Sequence, residues 1–223
     1  MTCSRRVVLG SLLTAPFLFP GHAAAAAAEL AVQPLGPLAK SELDAVTQAL
    51  RAFYAVPLRV LPPTPLPKEA FYPPRQRHRA EKLLRFLETR LPPESSRILG
   101  VTSSDISTTK PPHADWGILG LATIGGQAAV VSSFRTRRGA RDDHHAQSRL
   151  GKTAVHELGH SFGLEHCARG GCLMADGLGT VTTTDRNEDL CPSCRTDLKR
   201  QGVPLTDATV RAPWSRNAGD AGG

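Results

Sequence analysis

Apolar residues in this chain change their spacing several times, and each change marks a different element. Residues 41–53 carry apolar side chains at helical spacing, with Ser41 as the expected N-cap, so a short helix is predicted there. Residues 56–61 read as a strand. Six prolines then fall between Pro62 and Pro74. Each removes a backbone donor and fixes φ, which predicts an extended connector over the surface. Within residues 75–91, Leu83, Leu84, Leu87 and Leu91 form one helical stripe that Pro92 and Pro93 terminate. Residues 97–106, 117–123 and 127–134 are rich in Ile, Val and Leu and are separated by Gly and Pro, as strands are. A longer helix is predicted from about Ala146 to Phe162, and a last one over residues 194–201. From Val203 onward Gly, Ala, Asp and Arg follow one another without period, which predicts a frayed tail over residues 203–223. No internal repeat is present. The pattern as a whole predicts a small α/β (α+β) domain over residues 29–202: a twisted mixed sheet with helices packed on it.

The first residues carry a different signal. Ser4-Arg5-Arg6 precedes an apolar stretch, residues 7–19, which leads into the alanine run Ala23 to Ala28. That stretch is well short of the roughly 20 residues that cross a bilayer, and small residues suited to cleavage follow it. Residues 1–28 are therefore expected to be a removable export signal, with twin arginines of the kind that mark folded cargo; an ordinary secretory signal with chance arginines is the alternative. Cys3 lies before the apolar stretch, where it is misplaced for lipid attachment. The expectation is a periplasmic or extracellular protein with no stable membrane anchor.

Charge alters this picture little. The 223 residues carry a formal charge of +7, and loss of Arg5 and Arg6 leaves 25 basic and 20 acidic side chains. Arg135, Arg137, Arg138 and Arg141 form one basic cluster and Arg75, Arg77, His78 and Arg79 another. Without interleaved aromatics or a nucleic-acid motif, both are expected to be solvated faces or sources of a steering field, and a nucleic-acid partner is not expected.

The candidate chemistry lies in residues 156–166, which read H-E-x-x-H-x-x-G-x-x-H. On a helix His156 and His160 project from one face, one turn apart, where both imidazoles reach a single Zn²⁺ at about 2.0 to 2.1 Å. Glu157 stands beside them, placed to hold and deprotonate water rather than to bind the ion. Gly163 allows the chain to turn so that His166 can approach from another direction. Three nitrogen ligands leave one tetrahedral position open, the arrangement of a catalytic site. Downstream, Cys167, Cys172, Met174, Cys191 and Cys194 spell C-x4-C-x-M-x16-C-x-x-C. Four thiolates would close a second, structural zinc site. Two disulfides are the alternative in an exported protein.

Taken together these motifs resemble the archaemetzincins, zinc peptidases of the metzincin clan whose pattern joins the three-histidine site to a four-cysteine zinc site. The interval between Met174 and Cys191 is one residue shorter than in the family pattern, a change in a loop where length costs little. Weaker similarity extends upstream through residues 98–102, 117–122 and 128–132. The resemblance implies a metzincin-like zincin fold with an active-site helix and a Met-turn, in which Met174 lies beneath the histidines without binding the ion. It also implies an edge strand beside the cleft that pairs with the extended substrate, for which residues 127–134 are the candidate; a buried strand is the other reading of that segment. The implied activity is hydrolysis of peptide or protein substrates, with Glu157 as general base and Zn²⁺ at two sites per chain. Two rivals stand beside it: a non-catalytic zinc-binding module, and a zinc amidase acting on cell-wall material. Glu157 favours catalysis, because a module that only holds metal has no use for a carboxylate there. His113, His144 and His145 are expected in solvated loops.

Overall fold

A computed structural model describes residues 29–177, 180–207 and 212–214. The expected export signal, residues 1–28, lies outside the described residues. In chain order the elements are β1 (Glu29–Leu35), α1 (Lys40–Phe53), β2 (Leu58–Val60), β3 (Phe71–Tyr72), β4 (Arg77–Arg79), α2 (Ala80–Glu88), β5 (Ser95–Thr102), β6 (Ile106–Lys110), β7 (His113–Ile118), β8 (Gly120–Ala122), β9 (Ala128–Ser132), α3 (Ser133–Thr136), α4 (Asp143–Ser161), α5 (Thr182–Arg186) and α6 (Pro192–Arg200). They form a single mixed α/β domain. Among the described residues no helix is long and apolar enough to cross a membrane.

Two sheets share the work. The larger runs β2-β1-β5-β9-β8, parallel except for β8, which pairs antiparallel with β9. The smaller runs β3-β4-β6-β7. Side chains alternate across the large sheet, as the two-residue strand period requires. Leu30, Val32, Leu99, Val101, Ala129 and Val131 pack on one face with Val46 and Leu50 of α1 and Leu150, Ala154 and Leu158 of α4. Ala31, Ile98 and Val130 pack on the other face with Leu83, Leu84 and Leu87 of α2. Burying each such leucine contributes about 2 kcal/mol, so both faces must stay covered. Helix α4 is the central one, with 13 of its 19 residues buried. Several of those are polar, so its apolar stripe is weak in sequence although the helix is deeply set.

Several expectations need correction. The N-cap of helix α1 lies two residues before the expected Ser41: it is Ala39, and the Glu42 carboxylate accepts the Ala39 N–H at 3.2 Å. The predicted helix over 75–91 is reduced to Ala80–Glu88, because Arg77–Arg79 pairs with β6 as a strand. The β6–β7 hairpin and β1 were not foreseen. Strand β1 contains Pro34, which argues against an interior strand. It is tolerated because β2 pairs only with residues 30–32, leaving Pro34 beyond that ladder. In the region expected to fray, Val203 and Trp214 are buried. Trp214 stacks on Phe53 at 5.6 Å and donates its indole N–H to the Glu188 carbonyl at 3.1 Å.

The basic clusters are not simply solvated. Arg77 bridges Asp105 and Asp115, Arg79 donates to the Ala114 carbonyl, and Arg135 holds Asp105. Their side chains keep only 13%, 15% and 13% of their exposure. They tie the small sheet to α3, a role that no count of charges along the chain distinguishes from a surface patch.

Candidate metal centre

Helix α4 sets the site through its two ends. At the start, the Asp142 side chain accepts the His145 N–H at 2.7 Å, so the helix begins earlier than its apolar pattern indicates and takes in His144 and His145. At the end, Gly163 adopts φ +98. Its N–H donates to His160 O at 2.8 Å and the Leu164 N–H donates to Gly159 O at 3.0 Å, the paired closure of a Schellman turn. Only glycine takes that conformation without strain.

The turn has a chemical consequence. It presents the Leu164 carbonyl to His160, whose Nδ1 donates to it at 2.7 Å, while His156 Nδ1 donates to the Leu173 carbonyl at 2.6 Å. A carbonyl can only accept, so both rings carry their proton on Nδ1 and offer the Nε2 lone pair. The two Nε2 atoms stand 3.0 Å apart. Lone pairs at that distance repel unless a cation lies between them. A tetrahedral zinc with bonds of about 2.0 to 2.1 Å calls for an edge of about 3.3 Å, so the arrangement fits. His166 completes a set whose ligand atoms all lie within 4.8 Å of one another. Burial, reinforced by His160, lowers His156 to about 4, and burial lowers His160 as well, so both are neutral and able to ligate at ordinary pH. His166 is half-exposed, with the Asp176 carboxylate 4.0 Å from its Nδ1.

Glu157 lies on the sheet side of this group. Burial pushes its carboxyl up to about 8. Its room comes from Gly120 of β8, where a Cβ would stand 2.6 Å from Glu157 Cγ. A cleft of about 820 Å³ opens over the histidines and is also lined by Trp116, Leu121 and Thr183. Strand β8 forms its wall and is one edge of the large sheet, paired among the described residues with β9 alone. The edge strand is therefore Gly120–Ala122 and not residues 127–134, since β9 is enclosed between β5 and β8. An interior strand and an edge strand with the same apolar run look alike in sequence.

Beneath the histidines the chain makes a turn over residues 172–175, closed by the Ala175 N–H donating to Cys172 O at 2.9 Å. Met174 is fully buried in it, and a Cβ on Gly159 would meet its sulfur at 2.5 Å. The thioether thus supports the helical turn that carries His156 and His160. Next to it the four cysteines converge. Cys167 Sγ lies 3.8 Å from Cys191 Sγ, and Cys172 Sγ lies 3.7 Å from Cys194 Sγ. A disulfide requires about 2.05 Å. Four thiolates at about 2.3 Å from one ion require edges of about 3.8 Å, so these distances are those of a cage. Backbone N–H groups of Arg169 and Cys191 donate to Cys167 Sγ and Cys172 Sγ, while burial raises the Cys172 and Cys194 thiols. Against burial, which raises it, the Cys194 N–H and neighbouring sulfurs bring the Cys191 thiol to about 7.

A brace that sequence reasoning missed joins the segment between the two cysteine pairs to α4. Arg149 holds Asp185 of α5 through two bonds of 2.7 Å, and His145 Nε2 lies 2.7 Å from the same carboxylate. One turn on, Lys152 Nζ reaches Glu188 at 2.8 Å. His145 is thus a partner within this brace and not a loop residue, a correction that only the folding of residues 182–190 back onto α4 reveals.

A cleft floored by two helical histidines, a third beyond a glycine turn, and a methionine turn beneath them define a metallopeptidase of the metzincin type. The chain belongs to peptidase family M54, whose family model matches residues 67–200, and it is a zinc metallopeptidase. It is 30% identical to the archaemetzincin of Haloquadratum walsbyi over 73% of this chain and 95% of that protein. Among solved structures, archaemetzincin from Archaeoglobus fulgidus complexed with malonate is 29% identical with a TM-score of 0.65, covering 76% of this chain and 99% of that one. Archaemetzincin from Methanopyrus kandleri is 27% identical with a TM-score of 0.67, covering 82% of this chain and 98% of that one.

Proposed function

We propose that this protein hydrolyses peptide bonds outside the cytoplasm, with His156, His160 and His166 holding a catalytic Zn²⁺ and Glu157 acting as general base. The observation that carries the reading is the pair of Nε2 atoms facing each other at 3.0 Å on the floor of an open cleft, with Glu157 at the next helical position. Zinc bound there supplies a Lewis acid that lowers the pKa of water toward about 7 and polarises the scissile carbonyl. Glu157 takes the proton of the attacking water and returns it to the departing amine. Its buried site, which raises the carboxyl, helps it hold that proton, and a cation held by the three histidines would act in the opposite direction. The open edge of β8 offers main-chain groups to an extended peptide, which gives affinity with little sequence preference.

Cys167, Cys172, Cys191 and Cys194 hold a second, structural zinc in this reading, making two per chain. Residues 1–28 direct export by the twin-arginine route, which delivers the protein folded with both metals loaded. Glu157→Gln tests the central assignment. It should retain its zinc and lose about 10²- to 10⁴-fold in kcat/KM on a fluorogenic peptide. Cleavage by the zinc-loaded variant at the wild-type rate would overturn the role of Glu157. Export is tested by replacing Arg5 and Arg6 together with Lys, which should leave the protein in the cytoplasm with its first 28 residues attached.

A further inference from the structure

Charge is distributed unevenly along the cleft. Glu165 and Asp176 line it on the His166 side, whereas Lys110, Arg135 and Arg138 line the end where β7 leads into β8. Arg135 is built into that wall. Its Nε donates to Asp105 Oδ1 at 2.7 Å and its Nη2 to Oδ2 at 2.9 Å. The guanidinium lies across Gly117, where a Cβ would stand 1.8 Å from Nη2, so this position must lack a side chain. Among the described residues Nη1 has no acceptor, and it is not sealed from solvent. Asp105 is itself shared, because Arg77 Nε donates to the same Oδ2 at 2.8 Å, and Arg77 in turn reaches Asp115 at 2.7 Å, so Asp105 orients Arg135 without being its partner alone. Lys110 and Arg138 are exposed and, among the described residues, are paired with aromatic rings and not with carboxylates: Trp116 at 5.8 Å and Phe134 at 5.7 Å.

The distance to the reacting centre suits a substrate. Gly120 lies against Glu157 and Gly117 three residues earlier, which at about 3.3 Å per residue is at most about 10 Å. Building on the peptidase reading above, we infer that the basic end of the cleft is a carboxylate subsite. It selects peptides with an acidic side chain or a free C-terminal carboxylate two or three residues from the cleaved bond. Arg135 is the main contact and Lys110 and Arg138 are its rim. A guanidinium already oriented by Asp105 loses little freedom on accepting a carboxylate and matches its planar geometry.

The test uses zinc-loaded full-length protein and one fluorogenic peptide. Glu or Gln is placed at each of the three positions on either side of the cleaved bond, with the C-terminus free or amidated. Wild type should cleave the best Glu peptide, or the free-carboxylate peptide, about tenfold or more faster in kcat/KM than its Gln or amide counterpart. A gain that persists in amidated peptides assigns a side chain; a gain confined to free C-termini assigns the chain end. Arg135→Gln should bring the ratio near one. Because that change also disturbs Asp105, the exposed variants Lys110→Gln and Arg138→Gln provide the second measurement, each reducing the ratio a few-fold. Ratios near one at every position, with neutral peptides still cleaved, overturn the subsite and leave the peptidase reading standing. If wild type cleaves no peptide, both fail.

Discussion

His166 and Cys167 are neighbours in sequence and belong to clusters built on opposite plans. The histidine group takes two of its three ligand atoms from one helix, and those two rings are oriented by the backbone carbonyls of Leu164 and Leu173. It opens onto a cleft, and its third member is half-exposed. The cysteine group gathers four sulfurs from the segment after α4 and the start of α6, and three of the four residues are buried. An ion needs a free position and solvent to do chemistry, and it needs neither to hold chain segments together. The difference teaches that adjacent donor clusters can differ in access: one opens onto the cleft while the other closes beside the Met174 turn.

Breaking the closed site should have the larger effect on the fold. With Cys172→Ser and Cys194→Ser together, zinc should fall from about two to about one per chain. A structural zinc contributes on the order of 10 kcal/mol, comparable to the whole stability of a domain, so thermal unfolding should shift far downward. Two zincs and an unchanged Tm in that variant would erase the contrast. A chelator sharpens it without mutation. Activity should disappear first, from the open site, with the unfolding temperature falling only later or at higher chelator concentration; a simultaneous loss of both would mean the sites are not separate. Gly159→Ala tests the contact that links them, since its Cβ would meet Met174 Sδ at 2.5 Å. Overpacking of this kind costs about 1 to 3 kcal/mol, and kcat should fall as the histidine-bearing turn shifts. The smallest effect is expected at the brace. Arg149 holds Asp185 at about 2, below its ordinary 3.8, with a further contribution from His145. A carboxylate lowered in the fold stabilises above its unfolded pKa and loses that contribution as pH falls from about 4 toward 2. Solvent screens this partly exposed pair, so Asp185→Asn should cost about 1 kcal/mol at neutral pH and close to nothing at pH 2. A Tm difference that does not shrink with acid would assign Asp185 another role.

Much of the centre was legible in the chain because its logic is local. The four-residue interval from His156 to His160 needs only a helix, and the glycine turn before His166 needs only Gly163. The short Cys-x-x-Cys pair and Met174 were likewise legible as candidates. Residues 127–134 could be read as an edge strand or a buried one, and the buried reading holds; a strand's place in a sheet depends on what lies to either side, and the edge strand β8 is only three residues long. Strand β1 was hidden by its proline. Arg77, Arg79 and Arg135 of the two expected surface patches proved to be largely buried partners of Asp105 and Asp115, which are separated from them by up to 38 residues, while Arg75, Arg137, Arg138 and Arg141 stay exposed.

The amino-acid sequence alone therefore determined the donor set: which nitrogens and sulfurs are present, at what intervals, and that the helical period brings two of the histidines to one face. Only the tertiary structure decided how those donors are used. The tautomer of His156 depends on a carbonyl 17 residues away, the cage on sulfurs that meet across 22 and 24 residues, and the charge at the end of the cleft on Asp105 reaching Arg135. Such pairings arise from the closure of the sheet and the packing of α4 against it, and no local periodicity encodes contacts between segments that meet only once the chain has folded.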